Sequence, residues 1–152
     1  MQPYKRILCP VDFSEFSNAA LEDAAGLAKA VGGELTLLHA FQNPAYVLPM
    51  QGYVGLGEDF FTKLRGQLED EVASQARPLR EQGIAVRTDV LEGVPYKVIV
   101  DQAKEMQADL IVMGTHGRTG LAHALTGSVA ERVVRLAHCP VLVTKRSVKK
   151  AA

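Results

Sequence analysis

The sequence predicts an α/β fold, an open and mostly parallel sheet of five strands with helices on both faces. Two observations support this prediction. Short apolar runs alternate with longer amphipathic segments along the chain, a pattern typical of parallel strands joined by right-handed crossover helices. The chain has 152 residues, of which 47% are hydrophobic, and this is enough for one buried core. We therefore expect a single domain over 1–146 and a basic tail over 147–152.

The first part of the chain predicts a strand, a helix and a second strand. Residues 5–11 form a short apolar run. The alanine-rich segment 14–31 repeats apolar residues about every 3.6 positions, and Gly32 and Gly33 close it as they close many helices. The apolar run 34–40 predicts the second strand.

The middle of the chain predicts an irregular segment and a long helix. Residues 41–57 contain two prolines and three glycines, which exclude regular structure. Residues 58–82 are amphipathic and end at Gly83. Pro78 lies inside this segment, so we expect a kink there or an early end of the regular part.

The remaining elements follow the same alternation. Residues 84–92 alternate apolar and polar side chains, as a strand with one exposed side does. Proline at the first position fits a helix over 95–107. The last three elements are a strand over 109–113, a helix over 128–137 and a strand over 140–145.

The expected ligand site lies where the strand order reverses, beyond the carboxyl ends of the strands. If the first strand is central, this reversal falls between strands one and four, which places Asp12 beside Gly114. The Asp12 carboxylate then has two readings: it accepts hydrogen bonds from a ligand, or it caps the first helix, a role that Ser14 also fits.

The connection between the fourth strand and the fourth helix is unusually long. It takes about 13 residues, whereas such connections usually take roughly 2 to 6. Its glycines allow backbone amides to approach phosphate oxygens, and the helix that begins near Gly127 and Ser128 offers amides and a positive dipole end to an anion. Alternatively, Ser128 and Glu131 match a capping box, which needs no ligand.

Composition excludes several classes of function. Seventeen basic and seventeen acidic side chains cancel, so the net charge favours neither nucleic acid nor an anionic membrane as partner. No apolar stretch approaches the roughly 20 residues that span a bilayer, and we expect a cytoplasmic protein. Cys9 and Cys139 are expected at opposite ends of the sheet, too far apart for a disulfide. No P-loop motif occurs.

Three stretches together resemble a known family. They are ILCPVDFSEFS near the start, MGTHGRTGLAHALTGSVAERVV late in the chain and CPVLVTKR at its end. This combination closely resembles the universal stress protein family, in its ATP-binding branch. The family spacing G-x2-G-x9-G-[ST] is met by Gly114, Gly117, Gly127 and Ser128.

The resemblance implies strand order 3-2-1-4-5, with ATP held between the ends of strands one and four and Mg²⁺ bridging its phosphates. The implied nucleoside contacts are Pro10, Val11, Asp12, Ala40, Met113 and Gly114, and the implied phosphate contacts are Gly117, Arg118, Gly127, Ser128 and Val129. Ala40 and Ala130 are smaller than the residues usual there, and we expect Ala130 to cost one phosphate hydrogen bond. Family members commonly form homodimers through the last strand, here 140–145.

The leading hypothesis is therefore an ATP-binding regulatory protein of the stress response. One alternative is an enzyme, a slow ATPase or nucleotidyl transferase, using the same cleft. A second is a stress-protein dimer that binds no nucleotide. A third is a phosphoacceptor receiver domain with Asp12 as the acceptor, although Asp89 and its surroundings do not supply the acidic cluster that such domains need.

Overall fold

A computed structural model describes residues 3–43, 57–116 and 127–146. In these ranges the chain alternates five strands with four helices. The strands are β1 (Arg6–Pro10), β2 (Glu34–Phe41), β3 (Ala85–Glu92), β4 (Leu110–Gly114) and β5 (Val141–Thr144), and the helices are α1 (Glu15–Val31), α2 (Glu58–Glu81), α3 (Pro95–Glu105) and α4 (Ser128–Leu136).

All neighbouring strands are parallel, and their order is β3-β2-β1-β4-β5. The predicted fold class and the order implied by the resemblance are confirmed. β1 is central and pairs with β2 on one side and β4 on the other, so the reversal of strand order lies between β1 and β4. The receiver alternative is wrong, because receiver domains have the order 2-1-3-4-5.

The sheet is buried on both faces, as the apolar runs predict. Side chains of β1 alternate between the faces: Ile7 and Cys9 contact one apolar cluster, and Leu8 contacts the other. α1 and α2 cover the first face, and α3 and α4 cover the second. This arrangement leaves the carboxyl ends of the strands to the loops, where α/β proteins bind ligands.

Most predicted elements agree with the structure to within about two residues. Of the two effects expected of Pro78, the early end of α2 is wrong, because the helix continues to Glu81, and the kink stays a prediction. At the end of α1, Gly32 takes a left-handed conformation with φ 61°, and its N–H donates to the carbonyl oxygen of Ala28. That conformation favours glycine and explains why the helix stops there.

Both cysteines are free, as expected. Cys9 is fully buried, and this burial raises the pKa of its thiol far above the ordinary value. Burial also raises the pKa of Cys139. Neither thiol therefore has the low pKa of a reactive cysteine. No helix in the described ranges is long and apolar enough to cross a membrane.

Candidate functional site

The first corner of the site is the connection from β1 to α1. The Ser14 hydroxyl accepts a hydrogen bond from the N–H of Ser17 at 3.2 Å and caps α1. Asp12 Oδ1 accepts from the N–H of Ser14 at 3.0 Å, and the N–H of Asp12 donates to Ser17 Oγ at 3.0 Å. Ser14 is thus the helix cap, and Asp12 fixes the turn that precedes it.

The number of acceptor positions on the Asp12 carboxylate bears on both readings of this residue. An ionised carboxylate has about four acceptor positions on its two oxygens. The hydrogen bond from Ser14 is therefore compatible with further hydrogen bonds from a ribose. The two readings that the sequence left open are compatible in part, since Asp12 organises the turn without being the cap itself.

His39 also belongs to this corner, although the sequence analysis did not include it among the site residues. It is buried, and its Nδ1 lies 2.7 Å from the carbonyl oxygen of Val11, so Nδ1 carries the proton and donates it. Its ring lies 4.8 Å from the ring of Phe13, a residue with the unusual φ of 66°. The only sequence signal was its place beside Ala40, at the carboxyl end of the second strand.

The backbone of Ala40 faces the expected ligand site at the reversal of strand order. The N–H of Val11 donates to the carbonyl oxygen of Leu38, which shows that even-numbered residues of β2 direct their peptide groups toward β1. The paired register of β1 ends at Pro10 opposite Leu38. The peptide groups of Ala40 therefore project past the end of β1, at the reversal of strand order.

Two other residues predicted to contact the nucleoside have side chains that point away from the expected ligand site. The side chains of Val11 and Met113 are buried in the apolar clusters on opposite faces of the sheet. Contacts of these two residues with a ligand would have to come from the backbone. Pro10 is half-buried at the end of β1.

The second corner begins at Gly114, the last residue of β4. A Cβ at this position would lie 2.8 Å from the backbone carbon and oxygen of Phe16, closer than real Cβ contacts come. Glycine is therefore needed here for the close approach of β4 to the first turn of α1. The rings of Phe16 and His116 lie 5.1 Å apart and extend this contact between the two corners.

The end of the second corner, Gly127, contacts the residue at its beginning, Thr115. The N–H of Gly127 donates to the carbonyl oxygen of Thr115, and a Cβ at 127 would lie 2.6 Å from that oxygen. The N–H of Thr115 in turn donates to the carbonyl oxygen of Thr144 in β5 at 3.1 Å. Protein contacts thus explain glycine at 114 and 127 without a ligand.

The prediction of a capping box at the start of α4, with Ser128 as the N-cap, is wrong. Gly127 is the N-cap, and Ser128 is an exposed residue of the first turn. Glu131 forms an ion pair with Arg135 at 3.1 Å. The amides of the first turn of a helix have no partner within the helix, so Ser128 and Val129 lie where an anion would find donors.

Ala130 is a core residue rather than part of the loop surface. Its side chain is only 2% exposed and packs in the cluster between the sheet, α3 and α4. The expectation that its missing hydroxyl costs a phosphate hydrogen bond stays a prediction. Gly117 and Arg118, two of the predicted phosphate contacts, lie outside the described residues.

The base of the second corner is flanked by a charged network. Arg146 donates to Asp23 Oδ1 at 2.6 Å and to Glu22 Oε2 at 3.1 Å. Burial alone would raise the pKa of Asp23, but hydrogen bonds from Arg146 and Thr144 outweigh it and hold that pKa below its usual range. This network connects the end of β5 to α1.

The residues that the structure describes contain no group of three or more His, Cys, Asp or Glu side chains arranged to hold a metal ion.

Comparison with known proteins assigns most of the chain to one family. The family model described as the universal stress protein family matches residues 3–145. The chain is 40% identical to the universal stress protein MJ0531 of Methanocaldococcus jannaschii, in an alignment of 152 positions that covers 97% of this chain and 85% of that protein.

Two solved structures are similar to this fold over nearly its whole length. The hypothetical protein MJ0577 of the same organism is 32% identical, with a TM-score of 0.78 and coverage of 99% of this chain and 100% of that one. A universal stress protein from Archaeoglobus fulgidus, solved in complex with dAMP, is 24% identical with a TM-score of 0.63. The match covers 95% of this chain and 100% of that chain. At this level of identity it shows the fold alone.

Proposed function

The chain belongs to the universal stress protein family, and on that premise we propose that it binds an adenine nucleotide, ATP with Mg²⁺, between the carboxyl ends of β1 and β4. Binding is proposed to regulate the stress response by changing the surface that residues near the nucleotide offer to partners. The cytoplasmic location expected from the sequence remains part of this proposal.

One observation carries the proposal: the two corners meet at the reversal of strand order. The first turn of α1 packs against Gly114, and the start of α4 bonds back to Thr115. A ligand lying across this junction would contact the Asp12 turn with one end and the first amides of α4 with the other. A nucleotide has a matching polarity, since a hydroxyl-rich sugar stands at one end and phosphates at the other.

The roles of the contacts follow from their chemistry. Asp12 would accept hydrogen bonds from the ribose hydroxyls, and the peptide groups of Ala40 would bind the edge of the base. The first amides of α4, at Ser128 and Val129, would donate to phosphate oxygens. An adenine nucleotide is the class of ligand we propose because dAMP occupies a protein of the same fold.

Gly117 and Arg118 complete the proposed phosphate site. A glycine lets the backbone approach an oxygen closely, and a guanidinium neutralises its charge. Mg²⁺ fits such a site without a dedicated set of protein ligands, because it commonly binds phosphate oxygens and keeps several waters. We propose binding as the function, with hydrolysis slow or incidental.

The proposal is tested by stripping the purified protein of nucleotide and titrating it calorimetrically with Mg-ATP and Mg-GTP. Mass spectrometry of the released material identifies any resident ligand. We expect saturable binding of ATP, and weaker binding by Gly117→Val at unchanged circular dichroism. Lys63→Gln, which changes an exposed residue of α2, serves as the control. Absence of binding by every adenine nucleotide would refute the proposal and favour a stress-protein dimer that binds none.

We also propose a homodimer formed through the last strand, residues 140–145. The N–H groups of Ile111 and Thr115 donate to the carbonyl oxygens of Pro140 and Thr144, so even-numbered residues of β5 face β4. Val141 and Val143 then direct their peptide groups to the open edge, beside Leu142, whose side chain is 41% exposed. An open edge of this kind pairs readily with a second chain.

Proline at position 143 tests this dimer. Its missing N–H faces the open edge, so the pairing of β5 with β4 is kept while pairing with a partner is blocked. We expect Val143→Pro to be monomeric by light scattering, and Val143→Thr, which keeps the N–H, to match the wild type. An unchanged mass for Val143→Pro would place the interface elsewhere.

A further inference from the structure

The opposite edge of the sheet, β3, has its own exposed row of peptide groups. The N–H of Gly93 donates to the carbonyl oxygen of Phe41 in β2 at 2.9 Å. Peptide groups alternate in direction along a strand, so odd-numbered residues of β3 face β2 and even-numbered residues face away. The carbonyl oxygens of Val86 and Val90 therefore point to the free edge.

Both of these carbonyl oxygens are held by arginines of α2. Nε and Nη2 of Arg80 donate to the oxygen of Val86 at 3.1 and 2.9 Å. Nη2 of Arg65 donates to the oxygen of Val90 at 3.1 Å. A charged donor on a carbonyl makes a stronger hydrogen bond than the neutral N–H of an incoming strand would.

Carboxylates stand between the two arginines. A cleft of about 440 Å³ separates this part of α2 from β3, and Thr88 to Leu91 line its strand side. Glu69 and Asp70 line its helix side, and Glu69 also binds Nε of Arg65 at 3.1 Å. A strand that entered here would bring its own carbonyl oxygens toward these carboxylates and would remove water from them, and both effects are unfavourable.

We propose that Arg65 and Arg80 keep the β3 edge closed to pairing with a second copy of this chain. In each copy β3 is as long as the eight residues of β2 and is otherwise suited to pairing. A chain with two open edges adds copies without limit, whereas a chain with one open edge stops at a closed pair. The arginines thus restrict assembly to a single edge of the sheet.

The proposal is tested with Arg65→Gln/Arg80→Gln. The matched control is Lys63→Gln/Arg77→Gln, which removes the same charge from exposed positions of the same helix. We expect the first variant to reach at least twice the mass of the wild type by light scattering as concentration rises, and the control to keep the wild-type mass. A folded Arg65→Gln/Arg80→Gln protein with the wild-type mass at every concentration would overturn the proposal.

A rescue variant separates edge pairing from general aggregation. Thr88 is even-numbered, so a proline there removes an N–H from the free edge and keeps the bonds to β2. Adding Thr88→Pro to the double variant should restore the wild-type mass, and growth that persists would overturn the proposal. If the double variant fails to fold, Arg65→Gln and Arg80→Gln singly carry the same test. The comparison is made with the wild-type mass, so it holds whether the wild type is a monomer or a dimer.

Discussion

The two corners at the reversal of strand order differ in length and in what holds them. Residues 11–14 connect β1 to α1, whereas residues 115–127 connect β4 to α4. In the first corner, which we call the short corner, side chains accept hydrogen bonds from the backbone: Asp12 and Ser14 each accept one from an N–H of the turn or helix. In the long corner, a backbone hydrogen bond from Gly127 to Thr115 closes the base.

This difference shows how the fold combines a carboxylate in a fixed position with a long connection between β4 and α4. The Asp12 carboxylate accepts from the N–H of Ser14, and the N–H of Asp12 donates to Ser17 Oγ, so the position of the carboxylate is fixed before any ligand arrives. The N–H of Gly127 donates to the carbonyl oxygen of Thr115, so residues 117–126 are not needed to connect β4 with α4. They are therefore available for another role, and binding phosphate is the role we propose for them.

The largest effect is expected where glycine allows backbones to meet. Gly127→Ala places a Cβ against the oxygen of Thr115, and Gly114→Ala places one against the backbone of Phe16. A backbone atom cannot rotate away, so each change should lower the free energy of unfolding by about 1–3 kcal/mol or more. Urea unfolding measures this value.

Gly66→Ala is the matched control for these variants. Gly66 lies within α2, and a Cβ there would meet nothing within 4 Å. This change should raise the free energy of unfolding by about 0.5–1 kcal/mol, because alanine favours the helix. Equal responses at the three glycines would contradict the close contacts at the corners.

His39 is expected to have the next largest effect. His39→Phe keeps a ring beside Phe13 but leaves the carbonyl oxygen of Val11 without its side-chain donor. Loss of a buried hydrogen bond of this kind costs about 1–3 kcal/mol. His138→Phe, at an exposed position, should stay within about 0.5 kcal/mol of the wild type. If both variants unfold at the same urea concentration, His39 does not support the short corner.

The two serines at the helix starts should differ by a smaller amount. Ser14→Ala removes the cap of α1 and should cost about 1 kcal/mol, whereas Ser128 caps nothing in α4 and Ser128→Ala should cost less than about 0.5 kcal/mol. Thermal unfolding without nucleotide compares the two variants directly. A larger loss for Ser128→Ala would restore the capping box that the sequence suggested.

The smallest effect is a pH dependence at the base of the long corner. The pKa of Asp23 is lower in the folded chain than in the unfolded one, so its ion pair contributes fully above about pH 4 and is lost as pH falls through the folded value. Asp23→Asn should therefore be less stable than the wild type at pH 7, and the difference should shrink below about pH 4. Urea unfolding at pH 7, 5, 4 and 3 measures it, and a constant difference would contradict this role.

The sequence predicts the fold better than the site, for physical reasons. Apolar periodicity reports burial, and both faces of this sheet are buried, so strands and helices were predictable. Gly114 was predicted to contact the nucleoside and Gly127 the phosphates, and those contacts stay predictions. The structure gives a separate reason for glycine at both positions, a backbone that comes close only in three dimensions. Ser128 matched a capping pattern, although the helix begins one residue earlier than that pattern requires.

Side chains that act across the sheet gave little signal. His39 acts on Val11, 28 positions away, and Ala130 packs in the core although it directly follows the predicted phosphate contacts in sequence. The place of Asp12 was predictable, because it closely follows the central strand and so lies at the reversal of strand order, and its contact with a ligand stays a prediction. The positions of Gly117 and Arg118 stay a prediction.

The most direct test of a ligand that spans both corners is calorimetric titration of Asp12→Ala and Gly117→Val with adenosine and with Mg-ATP. Asp12→Ala should weaken both ligands, because the sugar is common to them. Gly117→Val should weaken Mg-ATP at least tenfold and leave adenosine unchanged, because only the phosphates reach the long corner. Wild-type affinity for Mg-ATP in both variants, each folded by circular dichroism, would contradict the account.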